Sequence, residues 1–115
     1  MGIERATSQS DIPPGTLYML ILRTLSQLGP MHGYGIAQHI QGMSEDVLEV
    51  EEGSLYPALQ RMLIKGWVKA QWGRSENNRR ARYYVLTPAG RKQLDTEISE
   101  FEKVMRAITR VIQPA

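Results

Sequence analysis

From Leu94 to Ile112 the apolar residues Leu94, Ile98, Phe101, Met105, Ile108 and Ile112 fall at spacings of 4, 3, 4, 3 and 4. That is a heptad seam, the pattern of a helix that packs lengthwise against another helix. Thr87-Pro88 supplies an N-cap and a proline at the first helical position, and Pro114 lies just past the end. A helix over 88–112 is about 37 Å long at 1.5 Å per residue. A chain of 115 residues buries only a modest core. The outer half of the seam therefore predicts apolar side chains in water unless a partner covers them. The simplest partner is a second copy of the chain, with the six seam residues as a homodimer interface. A helix folded back on its own domain is the alternative.

Charge is the second constraint. The net charge is only +2, but it is unevenly placed. Residues 1–42 balance to zero, and residues 43–52 hold five acids and no base. Residues 53–92 carry nine Lys or Arg against Glu76, a local charge of +8. Residues 93–115 come to −1. A basic block of this kind points to a localised contact with a polyanion.

The elements around that block follow from periodicity. Residues 1–12 are polar and read as loosely ordered. After Pro13-Pro14-Gly15, Leu17, Leu20, Ile21, Leu25 and Leu28 predict a helix ended by Gly29-Pro30. A second helix is expected from about Tyr34 to Gln41, with Ile36, Ala37 and Ile40 inward and Gly42 as its stop. An acidic connector over 43–52 follows. A third helix is expected from Gly53 or Ser54 to Lys65, with Leu55, Leu59, Met62 and Leu63 inward and Gly66 closing it. Pro57 is tolerable only if the helix starts there, because only a first turn lacks internal donors. "WVKAQW" and "ARYYVL" then alternate with period two and read as strands of a hairpin, joined by "GRSENNRR".

Three helices, a hairpin and a long helix make a mainly α fold with a small β-hairpin. This is the order of a winged helix-turn-helix domain, expected over 13–87, followed by a dimerisation helix over 88–112. The third helix would enter the major groove of double-stranded DNA, and the hairpin would be the wing. With the core set inward, Ser54, Ala58, Arg61 and Lys65 are expected to line the outer face. Pro57 lies beside them, and Tyr56 and Gln60 flank them. Ser, Gln and Arg can read base edges, and Lys can meet a phosphate. On the wing, Arg74, Arg79, Arg80 and Arg82 suit phosphate contact or a narrow minor groove. Asn77 and Asn78 tolerate the backbone angles of a turn.

Other chemistries are poorly supplied. There is no cysteine, so thiol nucleophiles, disulfides and zinc-thiolate sites are excluded. His32 and His39 have no compact acid or histidine set around them, and no metal or cofactor is expected. His32 and Gly33 are expected to shape the start of the second helix. The Tyr34 hydroxyl is a candidate for a phosphate contact. No nucleophile elbow or P-loop is present, so the chain does not read as an enzyme. No apolar run predicts a signal peptide or a membrane span, and a cytoplasmic protein is expected. Glu51 and Glu52 either cap the third helix or repel phosphates.

At these residues the sequence resembles the PadR family of bacterial transcriptional regulators. The resemblance is carried by "GTLYMLILRTL", "PMHGYGIAQHI", "EEGSLYPALQRMLIKGWV" and "RRARYYVLTPAGRKQL", which span residues 15–94. The single long C-terminal helix is similar to that of the shorter members. The resemblance implies a homodimer built through the C-terminal helix, usually with the N-terminal one. It implies binding to an inverted-repeat operator, most often as a repressor. It also implies that Ser54, Tyr56, Pro57 and Arg61 lie on the recognition helix, and Arg79, Arg80 and Arg82 on the wing. Some members release DNA when a small aromatic or drug-like effector binds at the dimer interface, and this stays open here. Trp67 and Trp72 are aromatic candidates, with packing in the core or wing as the simpler role. The competing function is a winged-helix module that binds protein instead of DNA, since fold alone does not set function.

Overall fold

The computed structural model describes Ile12, Pro13 and residues 15–113. The expectation for residues 1–12 falls, Ile12 apart, outside the described residues. The elements are α1 (Leu17–Leu28), β1 (Met31–His32), α2 (Gly33–Met43), α3 (Glu52–Lys65), β2 (Val68–Arg74), β3 (Arg80–Leu86) and α4 (Pro88–Ile112). The three helices, the hairpin and the long helix stand in the expected order. One strand was not foreseen. β1 pairs antiparallel with β3, Met31 opposite Tyr84 and His32 opposite Tyr83, giving a sheet of order β1-β3-β2. Two residues are too few to show a period.

One core joins these elements. Ile21, Leu22 and Leu25 of α1 meet Ile36 and Ile40 of α2 and Leu55, Leu59 and Met62 of α3. Val68 and Tyr84 close it from the sheet, and Leu94 from α4. The hairpin pairs Val68 with Leu86, Ala70 with Tyr84 and Trp72 with Arg82, so these six share one face, as their alternation predicts. The inner end of that face is core. Its outer end, at Trp72 and Arg82, is exposed.

Two helix ends differ from expectation. Gly42 does not stop α2, which runs on to Met43. The reversal falls instead on Glu45 and Asp46, with φ of 54° and 67°. The Asp46 N–H donates to the Gln41 carbonyl at 2.9 Å and closes the helix there. Part of the acidic connector is thus the turn that ends α2. The third helix starts at Glu52, one or two residues early. Pro57 consequently lies inside the helix, beyond its first turn. The ring removes the donor that the Gly53 carbonyl would use. Gly53 and Pro57 are both exposed, so water can satisfy that carbonyl.

The start of α4 is fastened to the base of the hairpin. The Thr87 N–H donates to the Trp67 carbonyl at 3.1 Å. The Thr87 hydroxyl donates to the Gly66 carbonyl at 2.7 Å and accepts from the Gly90 N–H at 3.0 Å, the expected N-cap. A Cβ on Gly90 would stand 2.0 Å from the Trp67 carbonyl oxygen, so only glycine lets the helix lie this close. Further along, α4 leaves the body of the chain. Leu94 is buried and Ile98 half-buried, but every residue from Phe101 to Ile112 is exposed.

Candidate nucleic-acid interface

The register of α3 decides which side chains face outward. Leu55, Ala58, Leu59 and Met62 form its buried row, and Ala58 is only 1% exposed. The expected outer position of Ala58 is therefore wrong. At 100° per residue, the row opposite is Gly53, Pro57, Gln60 and Ile64. Ile64, at 78% exposure, is the residue that sequence reasoning missed on this face. The predicted face was centred on Ser54, Arg61 and Lys65, roughly 100° round the helix from Leu55, whereas Ile64 lies roughly 180° round.

The remaining candidates stand on the two flanks. On the α1 side are Ser54, Arg61 and Lys65, all exposed. The Arg61 Nε donates to the Tyr18 hydroxyl, and its guanidinium lies 5.7 Å from the Tyr18 ring centroid. Tyr18 meets Trp67 edge-on at 5.5 Å, and the Lys65 ammonium sits 5.2 Å from the Trp67 ring. Trp67 thus serves packing, as the simpler expectation had it. On the α2 side is Tyr56. A Cβ on Gly33 would fall 2.7 Å from the Tyr56 ring, so the hydroxyl end of the ring packs against the first residue of α2. Burial, then the Glu52 carboxylate, push the Tyr56 hydroxyl above its ordinary pKa. Glu52 sits in the first turn of α3, where the helix dipole favours an acid. Glu51 occupies the N-cap position, but its side chain makes no capping hydrogen bond.

The first turn of α2 is ordered as expected by His32. Its Nδ1 accepts from the Gly35 N–H at 3.0 Å, and its ring meets Tyr83 at 5.4 Å. The Tyr34 hydroxyl is exposed and accepts from the Gln38 amide at 3.1 Å. Among the described residues, no three His, Cys, Asp or Glu side chains come together as a metal site.

The hairpin tip is closed by its own polar groups. Asn78 adopts φ 60°, the left-handed turn position foreseen for the Asn pair. Arg74 Nη1 donates to the Asn78 carbonyl at 3.2 Å, and the Tyr83 hydroxyl to the Arg74 carbonyl at 2.8 Å. Arg74 is therefore engaged in holding the tip. Asn77 and Arg79 are exposed in the loop. Arg80 and Arg82 share a strand face with Trp72. The Arg80 guanidinium lies 4.3 Å from the Trp72 ring, and that of Arg82 lies 6.0 Å from the Tyr84 ring. Between this face and α2 runs a cleft of about 810 Å³, lined by Tyr34, Gln38 and His39, by Tyr56, and by Trp72, Arg79, Arg80 and Arg82. The structure thus brings Tyr56 and the wing arginines to one cleft, and it leaves Arg61 and Lys65 on the far flank of α3.

Comparison with known proteins places this arrangement. The model of the transcriptional regulator PadR-like family matches residues 21–96, from α1 to the first turns of α4. The chain belongs to the PadR-like family. Its fold is the PadR winged helix with a long C-terminal helix. A transcriptional regulator from Clostridium thermocellum superposes with a TM-score of 0.79 at 28% identity, over 86% of this chain and 95% of that one. A PadR-like transcriptional regulator from Bacillus cereus gives 0.73 at 26% identity, over 88% and 95%. An uncharacterised protein of Lysinibacillus sphaericus is 29% identical over 87% of this chain and 91% of its own length. A transposon protein of Streptomyces fradiae is 42% identical over 69% of this chain, a match that spans only 21% of that longer protein. PadR-like proteins are transcriptional regulators. No helix among the described residues is long and apolar enough to cross a membrane.

Proposed function

We propose that this chain is a sequence-specific, DNA-binding repressor that grips an inverted-repeat operator as a homodimer in the bacterial cytoplasm. Residues 13–87 act as the DNA-binding unit and residues 88–112 as the dimerisation helix. The observation that carries the reading is the shared cleft, with Tyr56 on one wall and the wing arginines on the other. Set into a major groove, α3 offers Ser54, Pro57 and Gln60 to base edges, with Gln60 suited to adenine. Arg79 and Arg82 follow the strand toward the adjacent minor groove, with Arg80 on the phosphates at its edge. Asn77 and Asn78 extend the tip, and Arg74 stiffens it. Arg61 and Lys65 hold backbone phosphates beside α3, a change from the base-reading role expected of Arg61.

The second copy covers the seam. Leu94 and Ile98 begin it, and Phe101, Met105, Ile108 and Ile112 continue it along the exposed stretch of α4. A planar effector caught between two such helices would meet Phe101, the one aromatic residue of α4.

The test is duplex binding measured across a salt series. Affinity for any duplex should fall steeply with salt, and a duplex selected from a random pool should carry two half-sites related by a dyad. Binding with no salt dependence would leave the protein-interaction reading in its place.

A further inference from the structure

Trp72 is not explained by packing. It sits on the strand face that begins as core at Val68 and Ala70, but it lies past the end of that core and is 60% exposed. Its close neighbour is Arg80, diagonally across the hairpin on the same face, with the guanidinium 4.3 Å from the ring. We infer that Trp72 is a positioning residue of the DNA interface, which holds Arg80 ready for phosphate. The inference rests on the DNA-binding reading above.

The physical argument concerns what can hold a cation without spending its charge. A carboxylate would neutralise Arg80 and would have to be displaced by phosphate. A ring face attracts the guanidinium through its quadrupole and leaves the net charge intact. This region has few acids to offer, since Glu76 is the only one between residues 53 and 92. A free arginine gives up rotamer freedom when it docks. One already stacked on a ring gives up less, while its remaining N–H donors stay available for a bidentate phosphate contact. Arg61 on Tyr18, Lys65 on Trp67 and Arg82 on Tyr84 repeat the arrangement at longer distances. Arg80 on Trp72 is the tightest of the four, and its ring lines the cleft.

The test is a double-mutant cycle on the full chain, using a short duplex of mixed sequence so that no operator need be known. Trp72→Leu keeps an apolar strand residue and removes the ring. It should weaken binding by about two- to fivefold, the effect of an exposed cation–π contact, and leave the slope of log K against log salt unchanged. Arg80→Ala should lower that slope by about 0.9, one phosphate contact. The double variant should bind as Arg80→Ala does, and Trp72→Tyr should restore most of the loss. A Trp72→Leu protein as tight as wild type, or losses that simply add, would overturn the assignment. Additive losses would mean that Trp72 touches the duplex itself. If the wild type shows no salt-dependent binding, the DNA reading fails first. If it binds with the expected slope and the cycle is additive, only the role of Trp72 falls.

Discussion

Helices α3 and α4 carry the same kind of apolar row, yet only one row is covered by this chain. In α3, Leu55, Ala58, Leu59 and Met62 are all buried against α1, α2 and the sheet. In α4, two seam residues reach the core, and the last four stay in water, from Phe101 at 39% exposure to Ile112 at 68%. The difference separates what a row is for. A covered row makes the fold and turns the opposite face of its helix outward. An uncovered row of regular spacing is where the proposed second copy would dock.

Four variants would break or sharpen that contrast. Leu59→Ala removes a side chain with no exposed surface and should cost about 2–5 kcal/mol of stability, read as a fall in the denaturant midpoint. Phe101→Glu with Met105→Glu should leave the circular dichroism of the winged part in place. It should raise the dimer dissociation constant by at least about a hundredfold, because charges would face each other in a dry seam. Sedimentation as a dimer would refute the seam. Arg61→Ala should weaken specific and mixed-sequence duplexes alike and lower the salt slope by about 0.9. A change of base preference at one position would return Arg61 to a reading role.

The smallest effect concerns pH. The Tyr56 hydroxyl titrates above its unfolded value, so the folded state holds that proton more tightly. The resulting stability is complete below about pH 10, the ordinary tyrosine value, and is lost as pH rises through the folded value. Tyr56→Phe should flatten the alkaline limb of a thermal-melt series, and an unchanged limb would show that Tyr56 does not contribute to it.

Much of this was legible in the residues. Long periodic segments announce themselves, so α1, the hairpin alternation and the seam of α4 stand where spacing put them. Thr87-Pro88 capped its helix because that dipeptide has one comfortable use. What failed were signals that depend on the neighbour across the space. Gly42 looked like a stop, but the left-handed residues were two acids further on. Ala58 is small enough to suit either face, and only the packing of α3 chose the inner one. Pro57 argued for a later helix start, and the exposed Gly53 carbonyl removed the need. β1 was too short to have a period. Tyr18 gave no hint of Arg61, because 43 residues separate them and the contact exists only once α1 and α3 are packed. Within the candidate site, the identity of the charged residues was readable, while which of them share a cleft was not.

The fastening at Thr87 and Gly90 has a mechanical consequence. The N-cap of α4 is bonded to Gly66 and Trp67, which join α3 to β2, and the Gly90 contact leaves no slack there. In the proposed dimer, α4 is then an arm whose near end is fastened to the proposed DNA-reading head. Along an arm of about 37 Å, a tilt of about 5° displaces the far end by roughly 3 Å. That is close to a one base-pair step. The angle at which two such arms cross would therefore set the span between two heads, as the pivot of a pair of callipers sets the gap between its jaws.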